Sequence, residues 1–291
     1  SLKSMLPRLH IDLAETHLWE IGDGKLYDLK LELLENGEVI DNVESYFGLR
    51  SVELREKAMY INQKPVFQRL VLDQGYYPDG IYTAPSDEAL KNDILYGIEL
   101  GFNGARPHEK IFEERYLYWA DKMGYILWGE YPNWGFEPTD MRPINNMLPE
   151  WMEEIERDFN HPSIIGWCPF NETWDIAERG CEKDIPQCRE MIETVYNITK
   201  ALDPTRPVID TSGNYHTVTD IFDVHNYEQD PERFAEDYSK TGEGIVCDTV
   251  SKSPKAKRQE YRGEPLMVSE YGGIKWNPDN ENGWKFHSFH I

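Results

Sequence analysis

Residues 166–174, GWCPFNETW, and residues 266–273, LMVSEYGG, decide the fold of this 291-residue chain. Each segment is a short apolar run that ends in a glutamate, Glu172 in the first and Glu270 in the second. A parallel barrel builds its site from polar side chains at the C-terminal ends of its strands. Two carboxylates that face one another across a sugar are suited to cutting a glycosidic bond. The two segments therefore predict a barrel with a pair of carboxylates at one end.

The chain around these segments alternates predicted strands with predicted helices. Alternating βα units indicate a parallel sheet, and seven strands of this kind predict an α/β fold, a (β/α)8 TIM barrel. A doubly wound sheet is the alternative, but no Gly-x-Gly-x-x-Gly pattern follows the first strand. No eighth strand is visible, so we expect a barrel truncated at its C-terminus. The predicted strands are 66–73, 103–108, 125–130, 163–172, 206–210, 222–227 and 265–270, and the predicted helices are 87–100, 111–123, 148–159 and 188–202.

An earlier part of the chain follows the period of a strand pair. Residues 26–34 alternate apolar and polar side chains, Asn36-Gly37 is a tight-turn signal, and residues 39–47 supply the return strand. A hairpin cannot bury its apolar face alone. We therefore expect residues 1–48 to be the last strands of a β-sandwich whose other strands lie outside this chain, and residues 49–291 to form the barrel domain.

The composition excludes several classes of partner. The net charge is −23, from 53 acidic and 30 basic residues, and such a surface repels nucleic acid and anionic membranes. No run of 18 or more apolar residues could span a bilayer. We see no signal peptide at Ser1, and the compartment stays open between the cytoplasm and the periplasm or exterior of a bacterium. The oligomeric state is also open, a homo-oligomer included.

The cysteines predict neither a disulfide scaffold nor a metal site. Four cysteines in a chain of this length are expected to be free thiols, and the spacing of seven between Cys181 and Cys188 fits no common zinc motif. We expect no metal site and no required cofactor. The cysteines are Cys168, Cys181, Cys188 and Cys247.

The two glutamates carry the chemistry that the sequence predicts. Retaining glycoside hydrolysis needs a protonated acid and an ionised carboxylate about 5–5.5 Å apart, whereas inverting enzymes separate them by about 6.5–9.5 Å. Asn171 stands beside Glu172, and an amide there could donate to a sugar 2-hydroxyl. A turn residue is the alternative for Asn171, and a solvated loop carboxylate is the alternative for Glu172. The position of both glutamates at predicted strand ends favours the functional interpretation.

The chain resembles glycoside hydrolase family 2, which contains β-galactosidases, β-glucuronidases and β-mannosidases. Besides the two glutamate segments, residues 41–54 resemble the passage from the family's immunoglobulin-like domain into its barrel. Residues 100–108 resemble its second barrel strand, residues 119–130 its helix and third strand, and residues 160–167 the approach to its acid/base motif. The resemblance covers roughly residues 26–284. It implies that the β-sandwich is immunoglobulin-like.

The resemblance also implies roles for single residues. Glu172 would be the acid/base, Glu270 the nucleophile, and Asn171 would hold the sugar near C2. Arg106 would keep the nucleophile ionised, because a nearby cation lowers a carboxyl pKa. Tyr227 would hydrogen-bond the nucleophile. The implied subsite residues are His108, His225 and Trp276, with structural histidines the alternative for His108 and His225.

Two departures from the family pattern leave the sugar open. Many members end the first strand in an Asn-Arg-His-Glu type of segment, whereas residues 72–80 here read LDQGYYPDG, so we expect Asp73 and Tyr77 to shape a different sugar pocket. Residues 107–110 read PHEK where many members have Ser-His-Tyr-Pro. We expect a retaining exo-β-glycosidase of β-galactosidase type. The alternatives are a β-glucuronidase, a β-mannosidase, an endo-acting barrel glycosidase and a non-catalytic carbohydrate-binding barrel.

Overall fold

The computed structural model describes residues 12–175, 185–239, 259 and 261–272. It begins with the predicted hairpin, in which strand β1 (Tyr27–Glu35) pairs antiparallel with strand β2 (Glu38–Phe47). Asn36 and Gly37 both adopt positive φ, 54° and 88°, which is the turn that Asn-Gly predicts. The hairpin is confirmed. Within the described residues, these two strands form a sheet of their own, and most of their side chains are exposed.

A small antiparallel sheet that the sequence did not predict follows the hairpin. Its strands are β3 (Val52–Arg55), β4 (Ala58–Ile61) and β5 (Lys64–Val66). The buried side chains of Met59 and Ile61 pack into the cluster inside the barrel. The strand predicted at 66–73 is therefore two strands, because its first residue ends this sheet and its last four begin the barrel.

Seven strand positions of the barrel lie within the described residues. Strands β6 (Leu70–Asp73), β7 (Gly104–Pro107), β8 (Ile126–Glu130) and β9 (Ile164–Cys168) form one parallel sheet in that order. A parallel bridge from Trp167 to Val208 adds the fifth position. Strands β10 (Phe222–Asn226) and β11 (Leu266–Tyr271) pair in parallel as the sixth and seventh. The fold is the predicted α/β TIM barrel.

The predicted helices are present, with shifts of a few residues at three of their starts. They are α1 (Asp87–Glu99), α2 (Glu114–Met123), α3 (Ile144–Asp158) and α4 (Arg189–Leu202). Ser86 caps α1 by accepting a hydrogen bond from the amide of Ala89, as predicted, and Gly124 ends α2 with a left-handed φ of 67°. A short helix that we did not predict, α5 (Pro231–Asp237), follows β10.

The fifth strand differs from the prediction, and a loop follows it. Residues 206–210 make a single bridge instead of a full strand, and residues 211–221 contain no helix. The carboxylate of Asp210 instead accepts hydrogen bonds from the amides of Thr211, Thr217 and Val218. Because these bonds satisfy backbone donors locally, the segment folds as an ordered loop.

The buried side chains form two main clusters, one inside the barrel and one between the strands and the helices. Ile126 and Trp128 of β8 face the inner cluster, and Leu127 between them faces the outer cluster with the helices. Side chains on a strand alternate, so Glu130 points inward with Trp128 and reaches the C-terminal end of the barrel interior. This alternation is what delivers polar side chains to one end of a packed barrel. Among the described residues, no helix is both long and apolar enough to cross a membrane.

Candidate active site

Polar side chains from several strands meet at the C-terminal end of the barrel. They lie at or directly after the ends of strands β7 to β11, and six of the eight are buried. Parallel strands place their carboxyl ends at one edge, so residues far apart in the chain become neighbours. The group consists of Arg106, His108, Glu130, Asn171, Glu172, His225, Tyr227 and Glu270.

Arg106 is the centre of this group. Its guanidinium donates to both Glu130 and Glu270, with 2.9 Å from Nη1 to Oε1 of Glu270. Nη2 donates to Oδ1 of Asn171 at 2.7 Å. Burial lowers the pKa of the guanidinium, but Glu130 and Glu270 outweigh that effect and raise it. A planar cation with several fixed donors thus holds three acceptors in one arrangement.

Glu270 is buried and still favours its ionised form. Burial raises the pKa of its carboxyl, but the opposing effects of Arg106, His225 and His108 lower that pKa below its usual value. Tyr227 donates its hydroxyl to Oε2 of Glu270. Burial and the nearby Glu270 raise the pKa of Tyr227, so that hydroxyl keeps its proton. The result is a buried carboxylate that stays charged.

His225 lies between the two glutamates. Its Nδ1 is 2.9 Å from Oε1 of Glu172, and its Nε2 is 3.3 Å from Oε1 of Glu270. One oxygen of each carboxylate and one ring nitrogen of His225 all lie within 4.8 Å of one another. The strand pairing of β10 with β11 shifts register at His225, which is where a bulge can re-aim a side chain.

Glu172 sits on a strained turn after β9. Its φ is 47°, a left-handed conformation that is uncommon for a residue with a side chain. The amide of Glu172 donates to the carbonyl of Ser212, and Asn133 bonds both the amide and the carbonyl of Asn171. These bonds over-determine the backbone on both sides of Glu172. Strain that is held in this way is typical of functional positions.

A network of buried polar groups supports His225 from below. Ser212 Oγ lies 3.0 Å from Nε2 of His225 and donates to the carboxylate of Asp223. His216 lies between Asp210 and Asp223, with 2.7 Å to Asp210 and 3.3 Å to Asp223. Burial lowers the pKa of His216, but the two carboxylates outweigh it and raise that pKa to about 9.

Three of these side chains are close enough together to be tested as a metal site. Glu172, His225 and Glu270 each offer one ligand atom within the common span of 4.8 Å. Both ring nitrogens of His225 already contact protein groups, namely Glu172 on one side and Ser212 and Glu270 on the other. A metal ion would have to displace those contacts, so we assign none here.

The structure brings together most of the residues that the sequence singled out. Arg106, His108, Asn171, Glu172, His225, Tyr227 and Glu270 share one site. Asp73 does not join them. It accepts from the amide of Gly75 and the hydroxyl of Tyr116, on the face of β6 where Val71 packs against the helices. Trp276 lies outside the described residues.

Three polar residues of the site were missed. Glu130 binds Arg106, Asn133 fixes the backbone of Asn171, and Ser212 contacts His225. Glu130 could have been predicted from the sequence, because it ends an apolar run in the same way as Glu172 and Glu270. Asn133 and Ser212 lie in loops, where the sequence gives no comparable signal.

Comparison with known proteins identifies the family of this chain. Residues 52–279 match the family described as "Glycosyl hydrolases family 2, TIM barrel domain", and residues 2–50 match "Glycosyl hydrolases family 2". The chain belongs to glycosyl hydrolase family 2. The match includes the segments of both Glu172 and Glu270.

Relatives within glycosyl hydrolase family 2 carry different names. A protein of Streptococcus agalactiae named beta-glucuronidase is 24% identical over 89% of this chain and 45% of its own length. A protein of Vibrio vulnificus named beta-galactosidase is 26% identical over 92% of this chain and 24% of its own length. The solved structure of a β-D-glucuronidase of Dictyoglomus thermophilum has a TM-score of 0.70 at 22% identity, over 91% of this chain and 46% of that one. The chain therefore spans less than half the length of each.

Proposed function

We propose that the protein is a retaining exo-β-glycosidase, in which Glu270 is the nucleophile and Glu172 is the acid/base. The observation that carries this proposal is the approach of the two carboxylates, since one oxygen of Glu172 and one oxygen of Glu270 lie within 4.8 Å of one another. Retaining enzymes place their two carboxyl groups about 5–5.5 Å apart, and inverting enzymes leave more room for a water molecule.

The surroundings of the two glutamates support different roles for them. Glu270 contacts Arg106, His225 and Tyr227, and its lowered pKa keeps it ionised, as a nucleophile must be. Glu172 contacts His225. The hydroxyl of Ser212 donates a hydrogen bond to Asp223. The oxygen of that hydroxyl is therefore placed to accept a hydrogen bond from Nε2–H of His225. Through Nδ1, 2.9 Å away, the same ring positions Oε1 of Glu172.

The reaction that follows from these roles has two steps. Glu172 gives its proton to the glycosidic oxygen while a carboxylate oxygen of Glu270 bonds to the anomeric carbon and the leaving alcohol departs. Glu172, now ionised, then takes a proton from water as that water attacks the anomeric carbon, and the bond to Glu270 breaks. Each step inverts the anomeric centre, so the product keeps the β configuration.

Asn171 is placed to recognise the sugar. Because Arg106 donates to Oδ1 of Asn171, its side-chain NH2 is the group left to meet an acceptor on the substrate. A donor beside the acid/base suits the sugar 2-hydroxyl, where hydrogen bonds strengthen as positive charge develops at C1. We therefore propose Asn171 as a residue that binds the glycone.

We favour a neutral glycone of the galactoside type. A glucuronide carboxylate needs a cation, and the buried cations that β7 and its following loop supply are already bound by protein oxygens. Arg106 donates to Glu130, Glu270 and Asn171, and Lys110 donates to the carbonyls of Gly75 and Tyr82. A β-glucuronide is the second candidate, because relatives over most of this chain are named beta-glucuronidase.

A panel of substrates tests the proposal. The whole protein is assayed with the 4-nitrophenyl β-galactoside, β-glucuronide, β-mannoside and β-glucoside, and the anomer first released is read by proton NMR. We expect turnover of the galactoside, release of the β anomer, and loss of at least ~10⁴-fold in kcat for Glu270→Ala. First release of the α anomer, or near wild-type turnover by Glu270→Ala, would contradict the assignment.

A further inference from the structure

Two exposed tryptophans lie beside the acid/base at the rim of the barrel. Trp134 follows β8 and is 61% exposed, and Trp174 follows β9 and is 36% exposed. Their ring centroids are 6.0 Å apart, and the ring planes meet at 69°. Large aromatic side chains are normally buried for their apolar area. An exposed pair in edge contact at a site therefore suggests a surface that binds something flat and partly apolar.

Trp174 is tied closely to Glu172. It is two residues further along the chain, so the two Cα atoms lie within ~7 Å of one another. The amide of Trp174 donates to the carbonyl of Glu172 at 2.7 Å, which closes a tight turn around Thr173. The side chain of Thr173 is buried, and that of Trp174 faces outward. This turn fixes the position of Trp174 relative to the acid/base.

Trp134 is held against the same loop from the other side. The preceding residue, Asn133, bonds the backbone of Asn171, and the amide of Trp134 donates to Oε2 of Glu109 at 3.0 Å. Glu109 has a φ of 53°, so it is left-handed like Glu172. Hydrogen bonds to residues of the site thus fix the backbone of both tryptophans, at Asn133 and Trp134 in one loop and at Trp174 in the other. A preorganised surface loses little entropy when a ligand stacks on it.

We propose that Trp134 and Trp174 form the binding site for the leaving-group sugar. This inference rests on the proposed function of Glu172 as acid/base. Glu172 protonates the glycosidic oxygen, so the departing sugar, which carries that oxygen, lies next to Glu172. The C–H face of a pyranose is flat and apolar, and its edge carries hydroxyls, which matches an indole face with open solvent around it.

The test compares two substrates that differ only in the leaving group. Lactose offers a sugar to the tryptophans, and β-D-galactosyl fluoride offers a leaving group too small to reach them. If the substrate panel selects glucuronic acid, the matching glucuronide pair is used. The variants are Trp134→Ala, Trp174→Ala and Trp174→Phe. The control is Tyr96→Ala, which removes an exposed aromatic ring from α1.

We expect one ratio to fall about tenfold or more in each Ala variant, namely kcat/KM for the disaccharide divided by kcat/KM for the fluoride. A tenfold loss is the scale on which an aromatic side chain contributes to a binding site. Trp174→Phe should restore part of the ratio, and Tyr96→Ala should leave it unchanged. An unchanged ratio in both Ala variants overturns the subsite while leaving the proposed function intact. If the wild-type protein hydrolyses neither substrate of either pair, the proposed function has failed, and the subsite fails with it.

Discussion

Nδ1 of His225 lies 2.9 Å from Oε1 of Glu172. The other nitrogen of the same ring is 3.3 Å from Glu270, so one imidazole contacts both carboxylates. The ring is packed against Gly213, which has a left-handed φ of 72°, and a Cβ there would overlap the imidazole. The close fit of Gly213 against this ring keeps His225 in contact with Glu172 and Glu270, the proposed acid/base and nucleophile.

Gly213→Ala should therefore reduce activity by displacing His225. We expect kcat/KM to fall by about 10- to 100-fold, because a shift of about 1 Å in a catalytic group can cost that much. Gly22→Ala is the matched control, since Gly22 also has a left-handed φ, 76°, but nothing lies near its added Cβ. Both variants should lose some stability in thermal unfolding from the left-handed φ, Gly213→Ala should lose more because its Cβ overlaps the ring, and only Gly213→Ala should lose activity when both are assayed well below their melting temperatures. Equal activities would show that the packing of His225 against Gly213 is unimportant.

Arg106→Gln should change the pH profile as well as the rate. Burial raises the pKa of the Glu270 carboxyl, and Arg106 is first among the groups that lower it. Without Arg106, the pKa of Glu270 should rise, so Glu270 becomes protonated at a higher pH. The acidic limb of kcat/KM then moves to higher pH, and the maximum falls by at least ~100-fold. Arg55→Gln, an exposed arginine of β3, is the control. An acidic limb that stays in place would contradict this account of Glu270.

Glu172→Ala should show a dependence on the leaving group. A 2,4-dinitrophenolate needs no proton to depart, so the first step should survive with the dinitrophenyl β-glycoside. With alkyl glycosides, kcat/KM should fall by about 10²- to 10⁴-fold, the usual contribution of a general acid. Azide should restore turnover of the dinitrophenyl substrate and give the β-glycosyl azide. Equal losses on both classes of substrate would argue against Glu172 as the acid.

His216 should make stability depend on pH. Its folded-state pKa is about 9, raised from 6.5. A raised pKa means that the stabilisation is fully present below about pH 6.5 and is lost as the pH rises through 9. The loss is on the order of 3 kcal/mol. In urea unfolding, His216→Gln should be less stable than wild type at pH 6, and the difference should shrink towards pH 9. His17→Gln, at an exposed histidine, serves as control. Parallel curves for wild type and His216→Gln would contradict the pairing.

The fold could be predicted where local signals agree with the tertiary structure. Asn36-Gly37 predicted the turn of the hairpin, Ser86 predicted the start of α1, and Gly124 predicted the end of α2. The sheet of β3 to β5 escaped prediction because its turns place Glu56, Lys57, Asn62 and Gln63 at positive φ, where a sequence rule expects glycine. The small sheet is stabilised by the packing of Met59 and Ile61 against the cluster inside the barrel, and its turn residues alone do not favour it.

The candidate site was predictable in its residues more than in its contacts. Glu172 and Glu270 end apolar runs, and that pattern alone suggested that they meet. Side chains alternate along β6, so Asp73 lies on the same outward face as Val71, two residues before it, and points away from the site. The role of His225 as a link depended on the register shift between β10 and β11, where Ser269 of β11 is the extra residue, and no local sequence pattern encodes that shift.

The central claim is that Glu270 forms the covalent intermediate, and trapping tests it most directly. The whole protein is inactivated with the 2,4-dinitrophenyl 2-deoxy-2-fluoro-β-glycoside of the sugar that it turns over, digested, and mapped by tandem mass spectrometry. We predict one added fluoroglycosyl group per chain, on Glu270 in the peptide that contains residues 266–272. A label on Glu172 or another residue, or rapid turnover-dependent hydrolysis with inversion and no label, would contradict it.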